Sequence, residues 1–186
     1  MSDIAPPRFS PSAELMISCG CVLVDPTLRK IAILYDADSG TTQLPKGRKN
    51  IGEDIYATAL RETYEETGIK VTPLPLLVNT RSTPVTGTLG DGTTPEDVTR
   101  DLMNCEPSSV CSYTCSGTGA FKIVFWYAAQ GDSLQVPVVG GLEPWEQGLS
   151  MEWVDAREAS GRMSHEHDAR VVAKVLDDMR ASGYDI

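Results

Sequence analysis

Three glutamates at residues 62–66 have the spacing of a shared carboxylate site. Glu62, Glu65 and Glu66 stand at i, i+3 and i+4, so a helix here would place all three on one face. Like charges at these spacings destabilise an isolated helix by about 0.2–0.5 kcal/mol per pair. A divalent cation would reverse that repulsion, and oxygen ligands are those that Mg²⁺ or Mn²⁺ prefers. The alternative is an ordinary solvated acidic face, partly balanced by Arg61.

The residues before the glutamates predict the helix that must position them. Ile55, Ala59 and Thr63 fall on one stripe of a helix over residues 54–67. Asp54 can cap the start of this helix, and Gly68 suits its end. The glutamates therefore belong to an amphipathic helix whose other face is buried.

The segment 47–69 resembles the Nudix box, G-x5-E-x7-R-E-U-x-E-E-x-G-U, in which U is a bulky aliphatic residue. The positions in register are Gly47, Glu53, Arg61, Glu62, Glu65, Glu66, Gly68 and Ile69. One position departs, because Thr63 stands where the first aliphatic is expected; Thr is nearly Val-sized, so this weakens packing more than catalysis. The resemblance implies the Nudix fold, an α/β/α sandwich on a mixed sheet. It also implies a metal-dependent hydrolase of nucleoside diphosphates linked to another group.

The resemblance further implies a role for each matched side chain. Glu62, Glu65 and Glu66 would ligate Mg²⁺ or Mn²⁺, which would activate a water for attack on phosphorus. Glu53 would support the site, and Arg61 would orient the glutamates by ion pairing. The proton acceptor stays open between these glutamates and three later carboxylates, Glu143, Glu146 and Glu152.

Cations crowd the start of the box. Lys46, Arg48 and Lys49 fill three of four positions in an acidic chain, which favours polyphosphate contact over a solvated turn. The Pro-Lys-Gly sequence before the box is similar to diadenosine polyphosphate and diphosphoinositol polyphosphate hydrolases of the Nudix family. We therefore expect a pyrophosphohydrolase that cleaves a phosphoanhydride bond in a nucleoside polyphosphate, with diadenosine polyphosphate as the favoured substrate.

Adenine recognition would need an aromatic clamp. We assign Trp126 to substrate binding, although an aromatic residue fits a core equally well. The other candidates for the clamp are Tyr35, Tyr127 and Trp145.

Three alternative functions stay open. A diphosphoinositol polyphosphate phosphohydrolase would need more positive charge, for which Arg81 and Lys122 are available beside Arg48 and Lys49. ADP-ribose pyrophosphatases often carry a proline at the distance after the box at which Pro84 stands. The alternative from another class is a non-catalytic Nudix-like ligand-binding module, which would not need all three box glutamates.

Short apolar runs predict the remaining elements. The expected strands are residues 15–24, 30–35, 74–79, 121–130 and 151–154. A final helix is expected from about Ser164 to before Gly183. His165 and His167 could touch phosphate, but Ser164 as the helix cap is the plainer interpretation.

The length and composition of the chain limit its expected partners, domain organisation and compartment. The chain has 186 residues and a formal net charge of −10, which disfavours duplex nucleic acid as a partner and leaves an RNA cap or 5′ end as the nucleic-acid option. No apolar run approaches the about 20 residues that span a bilayer. We expect a flexible lead-in over 1–12 and a single Nudix domain over 13–186, with a long loop region over about 80–119. Five cysteines without a signal peptide predict reduced thiols in a cytoplasmic or nuclear protein.

Overall fold

The computed structural model of the chain describes residues 9–83, 102–138 and 148–186. A short 3-10 turn, Ser12–Glu14, precedes the first strand. The strands are β1 (Leu15–Asp25), β2 (Lys30–Asp36), β3 (Thr41–Gln43), β4 (Lys46–Arg48), β5 (Thr72–Pro73), β6 (Ser109–Thr114), β7 (Phe121–Gln130) and β8 (Leu149–Asp155). The helices are α1 (Ile55–Thr67), α2 (Ala156–Arg162) and α3 (Glu166–Ala181). No helix of these segments is long and apolar enough to cross a membrane.

One mixed sheet contains all eight strands. Its centre is the parallel pair of β1 and β7, in register from Leu15 opposite Phe121 to Val24 opposite Gln130. On the other edge of β1, β4 and β2 pair antiparallel in succession. β5 and β6 pair antiparallel with β7, and β3 and β8 with β2.

Alternation along β1 and β7 divides the core between the two faces of the sheet. Val22 and Trp126 face α2 and α3, whose buried residues include Val172. Cys21 and Tyr127 face α1 and pack in a second cluster with Ala59 of that helix. Helices therefore cover both faces, and the α/β/α sandwich on a mixed sheet is confirmed.

The expected strands over 15–24, 30–35, 121–130 and 151–154 are confirmed to within two residues at their ends. The strand expected over 74–79 is wrong, because only Leu76 forms a bridge there, to Asn104. The loop expected over 80–119 contains β6. The sequence did not predict this strand, because its residues are mostly polar and half-exposed and form no apolar run. Residues 84–101 of that loop, and residues 1–8 of the lead-in, lie outside the described part of the chain.

The final helix expected from about Ser164 to before Gly183 is confirmed as α3, and a short helix that the sequence did not predict, α2, precedes it. Asp155 caps α2 by accepting a hydrogen bond from the Arg157 amide. The sequence did not predict this cap, because Asp155 directly follows the apolar run of the expected strand. His165, with no side-chain hydrogen bond to the helix, stands at the N-cap of α3. Ser164 is not the cap; its Oγ accepts a 2.8 Å hydrogen bond from the Thr42 amide and ties α3 to β3.

Thr63, the residue that departs from the box pattern, is fully buried and doubly hydrogen-bonded. Its Oγ1 donates to the Ala59 carbonyl at 2.7 Å and accepts from the Cys21 amide at 3.1 Å. On this edge β1 pairs with β4 at 18–20 and with β2 at 24–25, so Cys21 lies in the gap between two partner strands. The hydroxyl from α1 satisfies a backbone donor that no neighbouring strand reaches, which accounts for Thr at an aliphatic position.

We expect Thr63→Val to lower the free energy of unfolding by about 1–3 kcal/mol, because the near-isosteric change leaves the buried Cys21 amide without an acceptor. Urea unfolding followed by circular dichroism measures the loss. Thr114→Val, at an exposed position of β6, is the control and should change stability by less than about 0.5 kcal/mol. Equal losses in the two variants would contradict the role given to the hydroxyl.

Candidate active site

Helix α1 carries the three glutamates, and its two ends are fixed as the sequence predicts. The Asp54 carboxylate accepts hydrogen bonds from the Tyr56 and Ala57 amides at 2.8 and 3.1 Å. Gly68 ends the helix with φ of 67°, a left-handed conformation that favours glycine. The Val138 backbone packs so closely there that a Cβ on Gly68 would overlap it.

Strand β4 passes directly against the acidic face of α1. The Lys46 amide donates a 2.7 Å hydrogen bond to Glu66 Oε2. A Cβ on Gly47 would overlap the Glu62 carboxylate, so only glycine lets the strand come this close. Glu62 and Glu66 are 8% and 9% exposed, which places both carboxylates in the cleft between the strand and the helix.

Arg61 lies at the centre of the carboxylates. Its Nε and Nη2 donate to the two oxygens of Glu53 at 2.7 and 2.8 Å, and its Nη1 donates to Glu62 and Glu65, each at 2.7 Å. The Nη2 also donates to the Arg48 carbonyl at 3.1 Å, which ties α1 to β4. One guanidinium therefore fixes three of the four box glutamates relative to the sheet.

Glu53 supports this arrangement from the loop before α1. Hydrogen bonds from Arg61, then from the Asn50 amide and the Thr58 hydroxyl, lower the pKa of Glu53 to about 2. The same contacts raise the pKa of Arg61 above its ordinary value. The pair stays ionised at any physiological pH.

The donor set fits a divalent cation. Three of the four carboxylates pair with one guanidinium, so the cluster keeps net negative charge, and Glu62 and Glu66 present hard oxygen donors in a cleft that excludes most water. Within residues 9–83, 102–138 and 148–186, no three acidic, His or Cys side chains surround a common point ready for a metal ion. A metal would therefore share these carboxylates with Arg61.

The other face of β4 opens on a cavity of about 500 Å³, the proximal chamber, beside the N-terminus of α3. Its lining includes Gln43, Lys46, Tyr113, His165, His167 and Asp168. The Lys46 Nζ donates to Gln43 Oε1 at 3.0 Å. Lys46 thus contacts the carboxylate cleft through its backbone and the chamber through its side chain.

Lys122 places a further cation next to Tyr113 of the proximal chamber. Its Nζ lies 5.8 Å from the centre of the Tyr113 ring. Burial lowers the pKa of Lys122 to about 8, and the charges of Lys46 and Arg48 lower it as well, against an opposing effect of Glu66. The sequence suggested Lys122 only as additional positive charge for an alternative substrate. Strand alternation nevertheless predicts that it lies on the α3 face of β7.

Asp168 is a chamber residue that sequence reasoning missed. It is 1% exposed, and burial raises the pKa of its carboxyl group. Its Oδ1 accepts no hydrogen bond, and the His167 Nε2 lies 3.4 Å from it. The His165 and His167 rings stack with centres 5.3 Å apart. The SHEHD sequence holds the signal, but only the packing of α3 against β6 turns these side chains into the chamber.

The structure does not bring every candidate to the site. Trp126 is 1% exposed and packs in the core, so it is not placed where a base could stack. Tyr127 is also buried, against Tyr56. The Lys49 Nζ bonds the carbonyl of its neighbour Asn50, and Tyr35 is exposed on β2.

Among the remaining candidates, Glu152 pairs with Arg162 at 2.8 Å. Arg81 lines a separate cavity on the α1 face of the sheet, with Tyr56 and Phe125. Pro84, Glu143, Trp145 and Glu146 lie outside the described residues. The five cysteines form no disulfide within the described residues, all five being free thiols there.

We expect Gly47→Ala to lower kcat/KM about 10²-fold, because the new Cβ displaces the Glu62 carboxylate, and misplacement by about 1 Å can cost that much. The rate on the best substrate with Mg²⁺ measures the effect. Gly161→Ala is the matched control, since a Cβ there meets no neighbouring atom. Retained activity in Gly47→Ala would show that the close approach of β4 is not required.

We expect Lys122→Met to stabilise the protein below pH 8, because it removes a charge that burial disfavours. Between the folded pKa of about 8 and the unfolded value of about 10.4, the unfolded state binds more protons, so wild-type stability rises with pH. The gain from Lys122→Met should shrink across that interval. Thermal unfolding from pH 6.5 to 10.5 measures it.

Lys70→Met, at an exposed lysine, controls for loss of charge alone and should keep the wild-type pH slope. A constant difference between wild type and Lys122→Met at every pH would refute the burial of the ammonium.

Comparisons with known proteins agree with this geometry. A family model described as NUDIX domain matches residues 15–175. No curated protein sequence gave a significant match.

Solved structures share the fold at low sequence identity. A Caenorhabditis elegans Ap4A hydrolase binary complex superposes with a TM-score of 0.59 and 16% identity, covering 89% of this chain and 98% of that one. A mutator MutT protein from Bacillus halodurans superposes with a TM-score of 0.54 and 19% identity, covering 87% of this chain and 82% of that one. The dihydroneopterin triphosphate pyrophosphohydrolase of Escherichia coli superposes with a TM-score of 0.54 and 11% identity, covering 87% of this chain and 94% of that one.

Proposed function

The chain belongs to the Nudix family, as a hydrolase of phosphorus-containing anhydrides, and we propose that its substrate is a nucleoside polyphosphate, in first place a diadenosine polyphosphate. Family members generally use a divalent metal and act on small molecules. For this chain we propose Mg²⁺ or Mn²⁺, held by Glu62, Glu65 and Glu66.

The observation that carries the proposal is that three cations, Lys46, Arg48 and Lys122, lie close enough to Glu66 and to one another to interact. Lys46 and Arg48 flank Gly47 on β4, and both lower the pKa of Lys122 by their charge. Such a cluster is costly in the absence of an anion, and a chain of phosphates would match it. In a chain with net charge −10, this concentration of positive charge supports a polyanionic substrate.

The side chains divide the work between two faces of β4. When bound, a divalent metal would neutralise phosphate oxygens and help to deprotonate a water. Arg61 would hold Glu62 and Glu65 in place, and the Lys46 amide would orient Glu66. Lys46 and Lys122 would bind the phosphates that are not attacked, which aligns the substrate across the strand.

The alternative substrates have less support. A diphosphoinositol polyphosphate would also match the three cations, but Arg81 lines a different cavity and adds no charge here. For ADP-ribose, the motivating Pro84 lies outside the described residues. The structural neighbour with the TM-score of 0.59 is an Ap4A hydrolase, which supports the ranking without fixing it.

Hydrolysis of a substrate panel with Mg²⁺ or Mn²⁺ tests the proposal. The panel contains diadenosine polyphosphates, diphosphoinositol polyphosphates, ADP-ribose, capped RNA and nucleoside triphosphates. We expect diadenosine polyphosphate to give the highest kcat/KM, and a higher value for another compound would overturn the substrate assignment.

We expect Glu66→Gln to lower kcat by at least about 10²-fold on the best substrate, because it removes ligand charge while keeping size. Glu158→Gln, at an exposed position in the first turn of α2, is the control and should keep the wild-type rate. Full activity in Glu66→Gln would contradict the catalytic role of the carboxylate cleft.

A further inference from the structure

A second cavity of about 580 Å³, the distal chamber, lies between β6 and α3. Its lining includes Ser108, Ser109, Val110, Cys111, Glu166, His167, Arg170, Val171 and Lys174. Cys111 and His167 line both chambers, so the two chambers adjoin. The proximal chamber contains Lys46, beside the carboxylate cleft, and the distal chamber lies farther along α3.

Two hydroxyl groups in the distal chamber lack partners. The Oγ atoms of Ser108 and Ser109 are buried and make no hydrogen bond, and Ser108 is 8% exposed. A buried hydroxyl without a partner costs free energy, so native proteins rarely leave one in a cavity unless water or a ligand reaches it. Rotation of these side chains about χ1 would turn the hydroxyls toward the chamber, where a bound molecule would complete their hydrogen bonds.

The distal chamber differs from the proximal chamber in charge. Lys174 is paired with Asp178, and the Glu166 carboxylate lies in the same lining as Arg170. Opposite charges are therefore balanced here, whereas the cations of Lys46 and the nearby Lys122 outnumber the Asp168 carboxylate of the proximal chamber. A balanced cavity of this volume suits an uncharged group rather than another phosphate.

Flat side chains line the same cavity. Arg170 is exposed and forms no ion pair or hydrogen bond with any residue of the described segments, so its guanidinium can stack on a ring. The His167 imidazole also lines the cavity but already stacks on the His165 ring, so Arg170 is the planar group left for a base, and Val110 and Val171 supply apolar contact. These are the contacts that a nucleobase makes, and the free hydroxyls match polar atoms of a base or ribose.

We propose that the distal chamber binds the second nucleoside of a dinucleoside polyphosphate, with Arg170 against the base and Ser108 and Ser109 on its polar atoms. The inference rests on the proposed function, since the phosphate chain in the proximal chamber connects this nucleoside to the carboxylate cleft. It makes Arg170 a specificity residue that selects dinucleoside over mononucleoside polyphosphates.

The test compares diadenosine tetraphosphate with adenosine tetraphosphate, which keeps four phosphates and lacks the second nucleoside. Arg170→Ala should raise KM for diadenosine tetraphosphate about tenfold, the size of one lost stacking contact, with kcat nearly unchanged. Its KM for adenosine tetraphosphate should stay at the wild-type value. Ser108→Ala should act in the same direction by about threefold, near the small end for one hydrogen bond.

Arg157→Ala removes an exposed arginine of α2 that lines neither chamber and serves as the control. An equal rise in KM for both compounds would show that Arg170 binds phosphate, and no change for either would show that it binds neither group. Both results overturn the inference while the proposed function stands.

Adenosine binding keeps the inference testable if the wild type hydrolyses neither compound and the proposed function fails. Titration of adenosine followed by NMR shifts of the α3 amides should show millimolar binding, weakened by Arg170→Ala and kept in Arg157→Ala. Absence of binding, or binding that ignores Arg170, would overturn the inference independently of any hydrolysis.

Discussion

The Arg61 guanidinium is the constraint on which the site depends. Glu53, Glu62, Glu65 and Glu66 lie within one loop and helix, and their mutual repulsion would spread them apart without a cation among them. Arg61 uses all five of its N–H groups, four on carboxylates and one on the Arg48 carbonyl. A lysine has a single nitrogen and cannot reproduce this fork, so the arrangement requires arginine.

The bond from Arg61 to the Arg48 carbonyl also explains why β4 can be only three residues long. The strand is held by β1 on one side and by Arg61 and Glu66 on the other. Because side chains alternate along a strand, Gly47 faces α1 while its two neighbours face α3. Three consecutive residues thus separate the carboxylate cleft, where we propose a metal, from the proximal chamber, where we propose phosphate.

Sequence reasoning succeeded where structural signals are local. Helix α1 was predicted because Asp54 and Gly68 fix its ends without help from distant residues, and β7 because its alternation is strong. The sequence did not predict β4 and β6, since short polar strands exist only through their pairing with β1 and β7. Leu76 and its neighbours have strand composition, but they have only an isolated bridge to Asn104.

The candidate site divides in the same way. The box residues were found because their spacing is set within one helix, whereas Asp168, Ser108 and Arg170 meet only when α3 packs beside β6. Trp126 was assigned to substrate because aromatic side chains have the same composition signal in a core and in a binding site. Burial, which is a property of the whole fold, separates the two.

The cations around Lys122 lower the stability of the free protein. Lys122 is partly buried beside two like charges, and both effects disfavour its charged form at neutral pH. A fold selected for stability alone would place an apolar residue at this position of β7, next to Val124 and the core. In the proposed complex, binding energy from a polyanion would offset this penalty, so the lysine would stabilise the complex while it destabilises the free protein.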